Sequence, residues 1–386
     1  MLFLKECKKV IWSLIYVVYL VAVIVIFNTQ FGCELNEKIE KPKATDNYYG
    51  LIQTNDENVI MSGAIYSLMN EYEMNCFVSY PFGIYKEVKL TQAEKAKMDQ
   101  IISNLIEEDK MTIKSTLTYN EFLNYMKQAD ELLGGNSKYN QSGISSEFAN
   151  IPMSYEEALA EYESITTKGE LGKTYIRLFC DYLGIILGIM PIFVCASMWQ
   201  SDKKHRVEAL VYSRKISSFK LVGIRYAALL AGMFLPVAGT YIYTMFKLNG
   251  LYAQVDIEIL ETFGLMILWL LPQIMIILSL GTFISILWSV LGAVFVQIVW
   301  WFMNVIVKMK LTGGITKWDL VVRHNKLGEV QLFNAQWDTF VWNRMFYFIL
   351  AVVLFVASVI VYNYKRKGKL NGKRMLHKHN KSKFEA

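Results

Sequence analysis

The chain has 386 residues, 54% of them hydrophobic and 14% aromatic, with a net charge of +6. That length would accommodate two or three ordinary soluble domains, but the charge sits in a few blocks between long apolar runs, which excludes an ordinary globular arrangement. The runs have the length a bilayer demands, since a hydrocarbon core of about 30 Å needs about 20 residues at about 1.5 Å each.

Six runs qualify: residues 10–27, 174–198, 221–246, 260–280, 286–307 and 341–364. The expected fold class is an all-α polytopic membrane protein, six transmembrane helices with a mostly helical extracytoplasmic domain between the first and second. In chain order this gives a cytosolic leader with the first span (1–27), the extracytoplasmic domain (28–172), spans two to six with a cytosolic loop at 200–220 (173–364), and a basic tail (365–386).

The first run follows Lys5, Lys8 and Lys9, as a secretory signal would. It is longer than a signal core, and Asn28-Thr29-Gln30-Phe31-Gly32 lacks a small-x-small cleavage pattern, so the run reads as an uncleaved anchor. Lys and Arg near span ends mark the cytosolic side. The leader carries three, the 200–220 loop six (Lys203, Lys204, Arg206, Arg214, Lys215, Lys220) and the tail nine, against six in the opposite loops: Lys247, Lys308, Lys310, Lys317, Arg323 and Lys326. Both termini are thus expected in the cytosol of a bacterium, with the chain in its cytoplasmic membrane. The positive charge is a topology signal, and no nucleic-acid partner is expected.

The 28–172 segment is acidic, with 23 acids against 12 bases, and long enough to bury a core of its own. Thr91-Gln92-Ala93-Glu94, Thr118-Tyr119-Asn120-Glu121 and Ser154-Tyr155-Glu156-Glu157 are capping-box patterns. Each precedes apolar residues at helical spacing, and Gly134-Gly135 ends the second helix. Residues 76–85 are aromatic and read as a strand or a packed loop. Glu107-Glu108-Asp109 and Glu156-Glu157 read as solvated faces, without the spacing of a calcium loop. Cys33 and Cys76 share the oxidising side, where they are either bonded or two isolated thiols.

Polar residues inside spans are costly and often functional. Asp181 lies in the second span with Arg177 one turn earlier as an i,i+4 partner, and Arg344 is a second candidate partner at similar depth. Gln273, Gln297 and Asn304 either line a path or bond between helices. Pro191, Pro236 and Pro272 are expected to kink spans two, three and four, and Gly281 and Gly292 to pack spans four and five as a tight hairpin. No phosphate-binding loop, no H-E-x-x-H, no G-x-S-x-G and no Cys-x-x-Cys occurs, so an enzyme is not expected. His377-Lys378-His379 reads as part of a solvated basic tail rather than a metal site.

In the 200–220 loop, Val207, Leu210 and Val211 fall on one face of a short helix with Glu208 and Tyr212 beside them, and Arg214 lies just past its end. Glu208-Ala209-Leu210-Val211-Tyr212-Ser213-Arg214, then Ser217, Lys220-Leu221 and Arg225-Tyr226, resembles the cytosolic loop after span two in ABC-2 type permeases. There a charged E-x-L-x-x-S-R stretch precedes S-x-x-K-L and a basic-aromatic pair opening the third span. The resemblance covers the membrane part, including Trp342-Asn343-Arg344 at the start of span six. It implies the membrane subunit of an ABC exporter, paired with a second copy or a paralogue. A separate ATPase subunit would bind the ATP, so the permease has no cofactor of its own, and would dock on the loop helix through Val207, Glu208, Leu210, Val211, Tyr212 and Arg214. A leader of nine residues leaves little for the amphipathic lead-in helix of many relatives. A different class of function competes: a non-transporting sensor whose acidic extracytoplasmic domain binds a peptide or envelope ligand.

Overall fold

The computed structural model describes residues 2–81, 85–107, 112–167, 169–205, 208–307, 315–324 and 326–369, of which the side chains of 142, 146, 203, 204, 208, 209, 306 and 307 are outside the description. Helix accounts for 72% and strand for 4%, so helices carry the fold. The chain divides into two compact units, one of Met1–Ile39, Glu163–Phe302 and Ile315–Ala386, the other of Glu40–Tyr162 and Met303–Gly314. The boundaries expected at 28 and 172 therefore move inward.

The leader forms a helix of its own, α1 (Leu2–Ile11), with Glu6 and Val10 buried and Phe3, Leu4 and Lys5 exposed. Contrary to expectation, there is room for an amphipathic lead-in helix. Ser13 ends it and caps α2 (Leu14–Ile26) by accepting the Tyr16 N–H at 3.2 Å. The helix continues as a π turn, Phe27–Phe31, and a 3-10 turn, Gly32–Leu35. Asn28 and Thr29 donate to the carbonyls of Ile24 and Val25, four residues back, at 2.8 Å each, which hides their polar groups within the helix. The first apolar helix thus runs Leu14–Leu35 rather than 10–27.

The second unit holds α3 (Glu57–Met74), α4 (Gln92–Leu105), α5 (Tyr119–Leu132), the single turn α6 (Gln141–Gly143) and the start of α7 (Tyr155–Thr166). Thr91 with Glu94 and Thr118 with Glu121 close capping boxes, and Ser154 bonds Glu157 in the same way. Helix α3 lacks such a box and was not foreseen; Asp56 caps it, and Asn75 ends it in the left-handed conformation at φ 48°. Two short antiparallel pairs complete the unit: β1 (Leu51–Gln53) with β4 (Asn150–Pro152), and β2 (Phe77–Ser79) with β3 (Lys86–Val88). Met61, Leu68, Phe77, Met98, Phe122 and Met126 are buried in its core. Glu108 and Asp109 lie outside the described residues. Cys33 and Cys76 are free thiols.

The first unit continues with α8 (Glu170–Leu187), α9 (Met190–Lys204), α10 (Glu208–Ser213), α11 (Ser218–Leu251), α12 (Ile259–Leu287), α13 (Val290–Phe302), a π turn (Met303–Val307, grouped with the second unit), α14 (Val330–Ala335) and α15 (Trp337–Arg366). Among the described residues four helices are long and apolar enough to cross a membrane: Leu14–Leu35, α11, α12 and α15. A fifth is present if α8 and α9, bent by 41° at their junction, form one span; Val290–Val305 is a shorter apolar helix. Helix α12 is the hub, packing against α8, α9, α11, α13 and α15.

The outermost helix surface carries apolar side chains, with several polar ones turned inward. On α15, Asn343, Arg344, Tyr347 and Ser358 face inward while Ile349, Val353, Val356 and Ile360 face out. Apolar side chains outward and polar ones inward is the arrangement a lipid solvent selects.

Candidate functional site

Helix α10 sits between α9 and α11, and its two faces differ. Val211 is 8% exposed and belongs to the core, whereas its neighbour Leu210 is 66% exposed. A step of about 100° around a helix separates the two, so they do not share the single apolar face expected of them. Tyr212 is half-buried, its ring edge-on to Tyr362 of α15 at 5.7 Å. Arg214 is exposed, Glu208 opens the helix, and Val207 lies outside the described residues, as does Arg206.

The end of α10 is held from a distance. Arg366, the last residue of α15, donates from Nε to the carbonyl of Tyr212 at 2.9 Å, and from its two Nη groups to those of Arg214 and Ile216 at 2.5 Å each. A helix end leaves carbonyls without intrahelical donors; of these three, that of Arg214 also takes the Ile216 N–H at 2.8 Å. Ser217 caps α11 through the Lys220 N–H at 3.2 Å, and Ser218 donates to Asn363 Oδ1 at 3.2 Å. Displacing α10 therefore pulls on α11 and α15 together. Arg366 looked from sequence like one more basic residue of the tail. Nearby, Arg225 donates to Asp202 at 2.6 Å, lies 3.9 Å from Glu6 of the leader helix, and covers the Trp199 ring at 5.2 Å. The leader, α9 and α11 are joined by this buried cluster.

The second site is the break between α8 and α9. Proline has no N–H, so the helical carbonyls three and four residues before it lose their partners. Before Pro191, Gln297 of α13 donates to the Gly188 carbonyl at 2.7 Å. One turn further back, Gln273 of α12 and Trp301 of α13 add bonds at 2.6 and 2.9 Å to the carbonyls of Gly184 and Ile185, which also take the Gly188 N–H. The same device recurs at the other prolines. Before Pro236, Tyr16 and Tyr19 of α2 donate to the carbonyls of Gly232 and Met233 at 3.0 and 2.5 Å. Before Pro272, Arg344 donates to the Trp269 carbonyl at 3.0 Å. Helices α11 and α12 run on through their prolines, and only Pro191 stands at a break. Both glutamines are fully buried bonds between helices. Nearest to Gly281 are Ile192 and Cys195 of α9, and nearest to Gly292 are Ser289 and Trp288 of its own turn.

The stretch 315–324, expected as a loop, is folded into the helices, with Leu320, Val321 and Val322 buried. Val321 fills the groove at the break: a Cβ on Gly188 would stand 2.9 Å from its Cγ2 and 2.8 Å from Trp301. Irregular backbone at this depth is tolerated where protein groups satisfy it. Arg344 donates to the carbonyl of Asp319 at 2.8 Å, and Asn343 to those of Thr316 and Asp319 at 3.0 Å each. Arg344 is thus committed to carbonyls and does not pair with Asp181.

Asp181 takes its cation from this strap. Arg323 Nε donates to Asp181 Oδ1, and the Asp181 side chain is fully buried. Arg177 is not the partner: it donates to Thr174 at 2.6 Å and to Glu170 at 3.5 Å, and lies 5.1 Å over the Phe333 ring. A glutamate seven residues back and an aromatic face capture it first. Arg323 also leaves the set of loop charges that weakened the charge asymmetry in the sequence. Asn304 lies in the π turn after α13, half-buried. Among the described residues no group of His, Cys, Asp or Glu is arranged to hold a metal ion, and His377 and His379 lie outside them.

No family model, no curated protein and no solved structure matches the chain.

Proposed function

We propose that the chain is the membrane-spanning permease subunit of an ABC transporter, an exporter driven by a separate ATPase subunit that docks on α10. The reading counts α8 with α9 as one broken span and α13 with the π turn after it as another, giving six spans. It places both chain ends and α10 in the cytosol of a bacterial cytoplasmic membrane, following the Lys and Arg asymmetry. ATP stays with the partner subunit, and a second copy or a paralogue completes the transporter.

The observation that supports this is the two-sidedness of α10. Val211 and the carbonyls held by Arg366 build one side into the helices, while Leu210 and Arg214 face outward. A helix that receives force needs both a surface for its partner and a rigid attachment to the elements it moves. The test replaces residues 208–214 with a Gly-Ser linker and purifies the protein from its own membranes. The variant is expected in the membrane without its ATPase; undiminished co-purification removes α10 from the coupling role. A purified complex in which ATP moves no substrate favours the sensor reading, in which the second unit binds the ligand.

A further inference from the structure

A pocket of about 570 Å³ opens at the end of the helices remote from α10, at the starts of α8, α12 and α15. That volume lies within the range of small-molecule sites, which are largely apolar with a few convergent polar groups. Its walls are Leu265, Leu268, Phe333 and Trp337; its charged groups are Glu170, Lys173, Arg177 and Glu261.

Helices α8 and α12 begin level with one another, because Lys173 binds Glu261 at 2.8 Å and Glu170 at 3.5 Å. The Arg177 backbone lies seven residues inside Glu170, about 10 Å deeper at 1.5 Å per residue, and its guanidinium reaches back to the Glu170 carboxylate at 3.5 Å; Leu268 is as far inside Glu261. The rim therefore carries two carboxylates against one ammonium, and Arg177 joins Glu170 to the apolar walls below it. Glu258, next to Glu261 at the start of α12, adds a further acid to the rim, and the neighbouring carboxylate raises its pKa. The Arg177 side chain is 2% exposed, and its Nε–H has no acceptor among the described residues. A buried guanidinium left short of acceptors is expensive. Gly264 and Trp337 are exposed, so the pocket opens sideways toward the apolar outer surface at Leu260 and Phe263.

We propose that this pocket binds the head of a zwitterionic phospholipid-type amphiphile, its phosphate on Arg177, its ammonium at the carboxylate rim and its chain leaving past Gly264 and Trp337. An anionic head without an ammonium meets a rim where Glu170, Glu258 and Glu261 outnumber Lys173. A cation alone leaves the Arg177 Nε–H unanswered. The inference does not depend on transport.

Native mass spectrometry tests it on the intact chain in dodecyl maltoside with equimolar phosphatidylethanolamine and phosphatidylglycerol. One phosphatidylethanolamine is expected to be retained in preference to phosphatidylglycerol by about tenfold, the scale of one charge-assisted contact. Arg177→Gln abolishes retention. Leu268→Trp, which fills the pocket and touches no charge, abolishes it in a chain whose ion pairs are intact, so loss there cannot be assigned to misfolding of the charged network. Glu261→Gln narrows the preference between the two lipids. Equal retention of both lipids, or wild-type retention by Leu268→Trp, overturns the assignment; an unchanged preference in Glu261→Gln overturns the role of the rim.

Discussion

Arg366 holds the carbonyl of Tyr212 at 2.9 Å across 154 positions of sequence, and so fixes the end of α10 to the end of α15. Arg366→Ala removes the donor of three bonds at once, all to carbonyls at the end of α10 and in the turn after it. Bonds to a charged donor contribute about 1.5–3 kcal/mol when buried, and this group is only half-buried. Local opening of residues 208–216 should become easier by about 1–2 kcal/mol, or roughly five- to thirtyfold in amide exchange. Arg366→Lys, a point charge without the planar fork, should recover only part. Hydrogen exchange followed by mass spectrometry checks this; unchanged exchange across 208–216 in Arg366→Ala would show that the bonds do not hold α10.

The Asp181–Arg323 pair joins α8 to the buried strap, and breaking one side leaves a charge without its partner. Removing one member of a buried pair typically costs about 3–5 kcal/mol, whereas replacing both with apolar residues is often close to neutral. Arg323→Met alone should therefore lower the melting temperature in detergent sharply, and Asp181→Leu with Arg323→Met should restore most of it. The cycle of single and double variants, followed by thermal unfolding, gives the coupling directly. Additive losses would show that the two side chains act independently.

Gln297 and Pro191 form a compensating pair. Gln297→Leu leaves the Gly188 carbonyl without its donor in an apolar setting. Interhelical bonds of this kind average well under the value in water, about 0.6 kcal/mol and at most about 1.7, so a loss of about 1 kcal/mol is expected. Introducing Pro191→Ala returns an N–H to the chain and lets the helix close on its own carbonyls, which should make Gln297→Leu less costly than in the wild type. Equal costs in the two backgrounds would separate the glutamine from the proline.

Much of the molecule was legible because its signals are local. The apolar runs follow from the bilayer's thickness, and Thr91 with Glu94 or Thr118 with Glu121 close rings within four residues. The polar partners were not legible for the opposite reason. Asp181 has Arg177 at the spacing that helix geometry favours, yet its cation arrives from 142 positions away. Nothing local marks Arg323, whose loop has no periodicity to suggest that it folds inward. The three prolines announced that carbonyls would be freed; which side chains would take them depends on packing that spacing cannot reveal. In α10 the apolar residues were found but not divided, because tertiary packing, which spacing does not carry, decides that Val211 is buried and Leu210 is not.

The capping boxes of the second unit give it a pH dependence with a definite sign. Glu94 is held below its ordinary 4.5 first by the Thr91 hydroxyl, and Glu121 and Glu157 first by the backbone N–H groups of Thr118 and Ser154. A carboxylate with a depressed folded pKa contributes stability that is complete above the unfolded value and is lost as the pH falls through the folded one. Protection of residues 92–105 and 119–132 should therefore be flat from neutrality down to about 4.5 and decline below it, once intrinsic exchange is corrected for. Glutamine serves in a capping box as glutamate does but does not titrate. Glu94→Gln with Glu121→Gln should accordingly keep both helices and flatten the acid decline, measured by hydrogen exchange on the full chain. A decline of the same size in that variant would assign it to other groups.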